Sequence, residues 1–174
     1  TPVHIAFEEC VKSAHNRGMR VTGSELVGLI PLKSLLDTGK YFLKKQNRSV
    51  GVSEKELIKI AVKSLGLDEL SAFKPEERII EYQLKDNNQM NLTRMPLCDF
   101  ADETASESPA PGGGSIAAYV GVLGISLGTM VANLSSHKKG WDEKWEEFSK
   151  WAEKGQQLKD ELLKMVDEDT KAFN

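Results

Sequence analysis

The chain has 174 residues, of which 28% are charged and 40% hydrophobic, with 26 acidic side chains against 23 basic ones for a formal net charge of -3. That is the composition of a folded soluble protein of one domain or two small ones, and it excludes a disordered chain. The acidic balance also excludes a general nucleic-acid binder, which needs a clustered surplus of Lys and Arg.

Thr1-Pro2 opens a predicted helix, with Thr1 as N-cap and Pro2 at the first helical position. Its expected buried stripe is Val3, Phe7, Cys10, Val11 and Ala14, and Gly18 ends it. Residues 19–30 read as a β-type run, Met19-Arg20-Val21, a turn at Thr22-Gly23-Ser24, and a second apolar stretch. Pro31 opens a second helix in which Leu32, Leu35, Leu36, Phe42 and Leu43 recur at helical spacing. Ser53 with Glu56 forms a capping box for a third helix, which buries Leu57, Ile60, Ala61 and Leu65 and stops at Gly66. Residues 78–84, Arg-Ile-Ile-Glu-Tyr-Gln-Leu, read as a strand. Residues 1–86 are therefore expected to be an α+β partial subdomain. The polar stretch that follows has no apolar periodicity, so 87–98 is assigned to a linker. Residues 99–174 carry only helical periodicity and are expected to be the first helices of an all-α bundle.

The second part is organised around Ser108-Pro109-Ala110-Pro111-Gly112-Gly113-Gly114-Ser115, which leads into the uncharged segment 116–134. Prolines fix the approach of the chain, and three glycines strip the turn of Cβ atoms, so backbone amides can come close to a ligand. Ser115 is expected as the N-cap, and the remaining amides at the positive helix end suit a carboxylate or phosphate. The alternative is a tight turn with a capped helix behind it, since the spacing is neither that of a Walker A loop nor that of a dinucleotide fingerprint. Along this helix Ala117, Gly121, Gly124 and Gly128 form a smooth stripe for close approach of another helix. Its length and its G-x-x-x-G raise the possibility of a membrane span, but Ser126, Thr129, Asn133 and the glycine-rich entry favour a helix buried in a bundle.

A last long helix begins at Trp141. At about 100° per residue, Phe148, Trp151, Gly155, Leu158, Leu162, Val166, Asp169 and Phe173 fall within a band roughly 60° wide. Asp169 is thereby expected to face the core, with Asp167 on the solvated side. A carboxylate on an apolar face must be paired, hydrogen-bonded or raised in pKa, which makes Asp169 the leading candidate for chemistry, beside the plainer reading of a structural buried acid. His4 and His15 read as surface or cap residues, and His137 as a cation at a helix C-terminus. No histidine pair has ligand spacing, so no metal is expected. Lys138 and Lys139 read as a solvated helix end able to grip an anionic substrate tail. Cys10 and Cys98 lie far apart, outside any metal or redox spacing, and suit free thiols in a reducing cytosol. No secretory leader is recognisable, and the helical pattern still running at Asn174 is expected of an internal fragment.

Three segments of the first part, residues 1–9, 23–32 (Gly-Ser-Glu-Leu-Val-Gly-Leu-Ile-Pro-Leu) and 77–82 (Glu-Arg-Ile-Ile-Glu-Tyr), resemble the C-terminal subdomain of glutamate formimidoyltransferase. Three of the second, residues 108–115, 130–134 with Lys138-Lys139, and 166–173 (Val-Asp-Glu-Asp-Thr-Lys-Ala-Phe), resemble the start of formimidoyltetrahydrofolate cyclodeaminase. Fused in this order they resemble the bifunctional formimidoyltransferase-cyclodeaminase family. The resemblance implies a cytoplasmic, homo-oligomeric enzyme of histidine degradation, with tetrahydrofolate as one-carbon carrier and no metal. It would move a formimino group from N-formimino-L-glutamate to N5 of tetrahydrofolate, then cyclise the product to 5,10-methenyltetrahydrofolate with loss of ammonia.

The resemblance places the transferase's catalytic histidine in an N-terminal subdomain this sequence lacks, so none of His4, His15 and His137 inherits it. It aligns the catalytic aspartate of the cyclodeaminase with Asp169. Substrate would be bound by Pro111, Gly112, Gly113, Gly114 and Ser115, with Lys138 and Lys139. The competing readings are a methenyltetrahydrofolate cyclohydrolase-like protein and a non-catalytic helical oligomerisation module.

Overall fold

The computed structural model describes residues 1–84 and 91–173, without the side chains of 172 and 173. Contacts divide the chain into two compact units, Thr1–Asp86 and Asn87–Asn174. Residues 87–90 of the expected linker lie outside the described residues.

The first unit is built on α1 (Val3–His15), α2 (Leu32–Lys45) and α3 (Glu54–Leu65), followed by two single turns, α4 (Pro75–Arg78) and α5 (Ile80–Gln83). Ser53 caps α3 by accepting a hydrogen bond from the Glu56 amide at 3.3 Å, and Gly66 ends the helix in the left-handed region at φ 63°. α2 and α3 cross closely at Gly39, where a Cβ would stand 2.9 Å from the Leu57 carbonyl carbon. The core gathers Ile30, Leu35, Ile58, Ala61, Val62 and Ile79, and a second cluster joins Leu43, Val50 and Leu57.

The α+β expectation for this unit fails, because no strand occurs among the described residues. Residues 78–84 are helical turns, broken only where Ile79 is extended at φ -96°, ψ 124°. Pro75 with Glu76 and Glu77 makes a favourable helix start, which a short apolar run of ambiguous period cannot override. The sole trace of sheet there is a parallel bridge between Ile30 and Ile79, in which the Ile30 amide donates to Arg78 at 2.9 Å and the Ile80 amide donates to Ile30 at 3.1 Å. A strand needs a ladder on at least one edge, and Ile30 supplies one rung. The run at 19–21 likewise has no strand partner among the described residues.

The regular structure of the second unit is all helical among its described residues. A 3-10 turn (Leu92–Arg94) and α6 (Leu97–Thr104) occupy much of the remaining expected linker, followed by α7 (Gly113–Ser135), a 3-10 turn (Asp142–Lys144) and α8 (Trp145–Phe173). α7 and α8 form an antiparallel hairpin. At one end Ser115 meets Val166; further along, Gly155 lies against Thr129, where an added Cβ would stand 3.2 Å from that of Thr129. Thus Gly155 on α8 admits the close helix approach; of the expected stripe Gly121 faces α8, where an added Cβ would stand 3.4 Å from Leu162 Cδ1, whereas one added at Gly124 or Gly128 would meet nothing within 4 Å.

α7 buries Ser115, Val122, Thr129 and Ala132 against the hairpin and exposes the opposite face, including Val120 at 63% and Leu134 at 67%. Within this chain it is a half-covered helix, not the buried one expected. By length and composition it could cross a membrane, with mean hydropathy 1.8. Its hydroxyls carry no weight against that, since Ser126 and Thr129 donate back to Val122 and Ile125 of the same helix at 2.6 and 2.8 Å.

Candidate functional site

α7 begins after the cis peptide Ala110-Pro111, with Gly112 as N-cap and no capping side chain of its own. Ser115 is therefore in the third helical position, not the N-cap, and its side chain is fully buried. The acceptor that a helix start requires comes from α8 instead. Asp169 Oδ2 accepts from the Ser115 amide at 2.8 Å and lies 3.0 Å from the Ser115 hydroxyl, which also reaches the Val166 carbonyl at 2.9 Å. A carboxylate there is favoured twice, by charge-assisted hydrogen bonding and by the positive end of the helix dipole.

The glycines are explained by the same contact. A Cβ on Gly114 would stand 2.7 Å from Asp169 Cγ, and one on Gly112 would stand 3.4 Å from Oδ2. Bare backbone lets the carboxylate settle onto the turn. The anion expected at this helix start is thus a side chain of the protein itself. Asp169 is otherwise exposed, so the expectation that it faces an apolar core is corrected: its band leaves the hairpin core near the end of α8 and meets the opening of α7.

Around this contact lies a cavity of about 210 Å³ lined by Pro109, Gly112, Gly113, Gly114, Asp169 and Thr170. Pro111 is buried beside it. Three features give the corner chemical capacity. Asp169 is anchored through Oδ2, while Oδ1 has no hydrogen-bond partner among the described residues. The Gly113 and Gly114 amides, at the helix start, likewise have none among the described residues. The carboxylate can then exchange a proton at Oδ1 without giving up its anchor.

Lys138 and Lys139 are not part of this corner. Both are exposed at the far end of α7, a helix of 23 residues, which at 1.5 Å per residue is about 34 Å long. Lys138 instead lies over the Trp141 ring, 4.8 Å from its centroid.

His4 is buried at 8% exposure, not superficial as expected: its ring stacks on Tyr41 with centroids 4.4 Å apart, and Nδ1 is 3.3 Å from Thr38 Oγ1. His15 and His137 are exposed, as are Cys10 and Cys98. Two residues escaped the sequence reading. Thr170 lines the cavity, and its hydroxyl is 3.4 Å from that of Ser115; its four-residue spacing from Val166 was the available signal. Asp167, expected in solvent, is half-buried and accepts from the Thr93 amide at 3.3 Å and its hydroxyl at 2.7 Å.

Comparison with known proteins places both units. Residues 1–85 match the family model described as Formiminotransferase domain, and residues 96–174 match that described as Formiminotransferase-cyclodeaminase. The chain is 39% identical to a formimidoyltransferase-cyclodeaminase of Gallus gallus over 100% of its own length, and 37% identical to that of Mus musculus over 99%. It spans about a third of those relatives, 32% in each case. A methenyltetrahydrofolate cyclohydrolase of Methylorubrum extorquens is 39% identical over 43% of the chain and 36% of its own length. With the two family models matched in the order in which the units occur, the chain belongs to the formimidoyltransferase-cyclodeaminase family.

Proposed function

We propose that the second unit carries the proton-transfer corner of a formimidoyltetrahydrofolate cyclodeaminase, with Asp169 as the catalytic residue. The observation that supports this most is the asymmetry of Asp169, anchored through Oδ2 on Ser115 with Oδ1 unpartnered beside a glycine-lined cavity. In the cyclisation N10 of 5-formiminotetrahydrofolate attacks the formimino carbon. With the formimino group entering as its amidinium, the N10 proton passes to Asp169, the carboxyl group returns it to the exocyclic NH2, and NH3 leaves as the positively charged 5,10-methenyl bridge forms. One carboxyl group serves as base and then as acid, with no net change.

A cavity of about 210 Å³ is below the roughly 300–1,000 Å³ of sites that engulf a drug-sized ligand. It would hold the formimino group and the N5–N10 edge, the rest of the folate extending beyond it. The Gly113 and Gly114 amides would meet a pterin oxygen or a carboxylate there, with Pro111 and Gly112 fixing the turn. Ser115 would act through Asp169, since its amide and hydroxyl already engage that side chain. Lys138 and Lys139 would contact substrate only outside this corner.

The first unit supplies the C-terminal part of a formimidoyltransferase in this reading. That half would transfer the formimino group of N-formimino-L-glutamate to N5 of tetrahydrofolate, using tetrahydrofolate as carrier substrate and no metal. His4 takes no part, because its ring is packed against Tyr41 and Thr38. The reading extends to a cytoplasmic homo-oligomer that acts in histidine degradation. A methenyltetrahydrofolate cyclohydrolase is disfavoured by the match of residues 1–85 to the transferase family model.

The test is to supply the full-length protein with 5-formiminotetrahydrofolate and follow methenyltetrahydrofolate by absorbance together with free ammonia. Stoichiometric release of both supports the reading. Tight folate binding without turnover would leave an assembly or binding module in its place.

A further inference from the structure

We propose that Thr93 and Asp167 form a positioning pair that fixes the rotation of α8 and so the reach of Asp169 into the cavity. Asp167 and Asp169 are two residues apart on α8, about 200° around its axis, and therefore face opposite sides. Asp169 is held by α7 at Ser115, while Asp167 is held by the 3-10 turn, accepting from both the amide and the hydroxyl of Thr93. Between them Val166 is fully buried, and its side chain borders a small void of about 70 Å³ with Leu92, Met95, Phe100 and Tyr119. The strap formed by residues 92–100 thus packs against the same turn of the helix that it hydrogen-bonds.

The consequence for Asp169 is geometric. A helix with its side chains has a radius of about 5–6 Å, so a rotation of roughly 10° moves a side-chain tip by about 1 Å. A displacement of that size at a reacting group can cost on the order of 10²-fold in rate. The bonds to Ser115 hold this last part of α8 from the α7 side, and the bonds to Thr93 oppose them from the other. The pair touches no substrate, and its value rests on the reading of Asp169 as the proton carrier.

The experiment compares the full-length wild type with Thr93→Val, which keeps the shape and removes the hydroxyl donor, and Thr93→Ser, which keeps the donor. Two readouts are taken: hydrogen exchange of the peptide carrying the Ser115 amide, and kcat and KM for ammonia release. Expected are exchange about 10-fold faster in Thr93→Val and kcat lowered roughly 10- to 100-fold with KM within twofold of wild type. Thr93→Ser restores both.

Unchanged exchange at Ser115 in Thr93→Val overturns the pair whatever the assay shows, as does a fall in kcat that Thr93→Ser fails to reverse. A wild type that releases no ammonia overturns the reading of Asp169 instead, and the exchange comparison then decides the pair alone.

Discussion

Asp169 on α8 accepts a hydrogen bond from the Ser115 amide at the start of α7, at 2.8 Å, so one helix supplies the anion that the other helix's opening requires. Structure and proposed chemistry meet in this contact, and substitutions around it separate the two.

Gly114→Ala places a methyl group where the carboxylate sits, 2.7 Å from Asp169 Cγ. The anchored acid leaves it no room. The carboxylate must move by about 1 Å, and kcat for ammonia release is expected to fall about 10²-fold, while alanine's helix preference, about 1 kcal/mol over glycine, limits the loss of stability. Steady-state kinetics and a urea titration on one preparation check both halves.

Ser115→Ala removes a fully buried hydroxyl bonded to the Val166 carbonyl and to Asp169. Its amide still donates to Oδ2, so Asp169 keeps one of its two donors. The expected loss is about 1 kcal/mol of stability, the usual net worth of such a bond. All three tryptophans, Trp141, Trp145 and Trp151, lie in the second unit, so their fluorescence reports its unfolding.

Gly155→Ala and Gly124→Ala should shift that same transition in opposite directions. At Gly155 a Cβ would stand 3.2 Å from the Thr129 Cβ, closer than packed side chains accept, at a cost of about 1–3 kcal/mol. At Gly124 nothing lies within 4 Å, and alanine gains up to about 1 kcal/mol. A lower urea midpoint for the first and a higher one for the second, each against the parent chain, are the expected results.

In the first unit, Lys45 and Tyr41 both hydrogen-bond Glu8 and hold its carboxyl below the ordinary value of 4.5. A depressed folded-state value stabilises above 4.5 and loses that contribution as the pH falls through it. Glu8→Gln should therefore lower the stability of this unit at pH 7 and lower it less at pH 3. Far-UV circular dichroism against urea at the two pH values isolates the effect, with tryptophan fluorescence as the second unit's reference.

Much of this was legible because it is local. Ser53 and Gly66 bracket α3 through bonds within one helical turn, and glycines before an apolar run mark the opening of α7 wherever that helix packs. What could not be read depends on partners distant in sequence. Residues 78–84 have strand-like composition, but a strand exists only with a neighbour, and Ile30 offers one bridge. His4 lies within an apolar periodic pattern, yet Tyr41 and Thr38 decide its burial. The glycine turn was recognisable as an anion site, but that its occupant is Asp169, 54 residues on, follows only from the antiparallel hairpin. The full length of α7 also separates Lys138 and Lys139 from that corner: that length was legible, but the motifs that carry the resemblance do not say which of them meet in space.

The most direct test of the central claim is the rate of ammonia release from 5-formiminotetrahydrofolate by the full-length protein and by its Asp169→Asn variant. Asparagine preserves the shape and can still accept from the Ser115 amide, but it cannot carry the proton. The account predicts a variant with wild-type tryptophan fluorescence and KM and a kcat lower by about 10²–10⁴-fold, the range of a lost general acid–base group. A folded variant that keeps kcat within threefold of wild type, roughly 0.65 kcal/mol in barrier height, would contradict it and return Asp169 to the role of a helix cap.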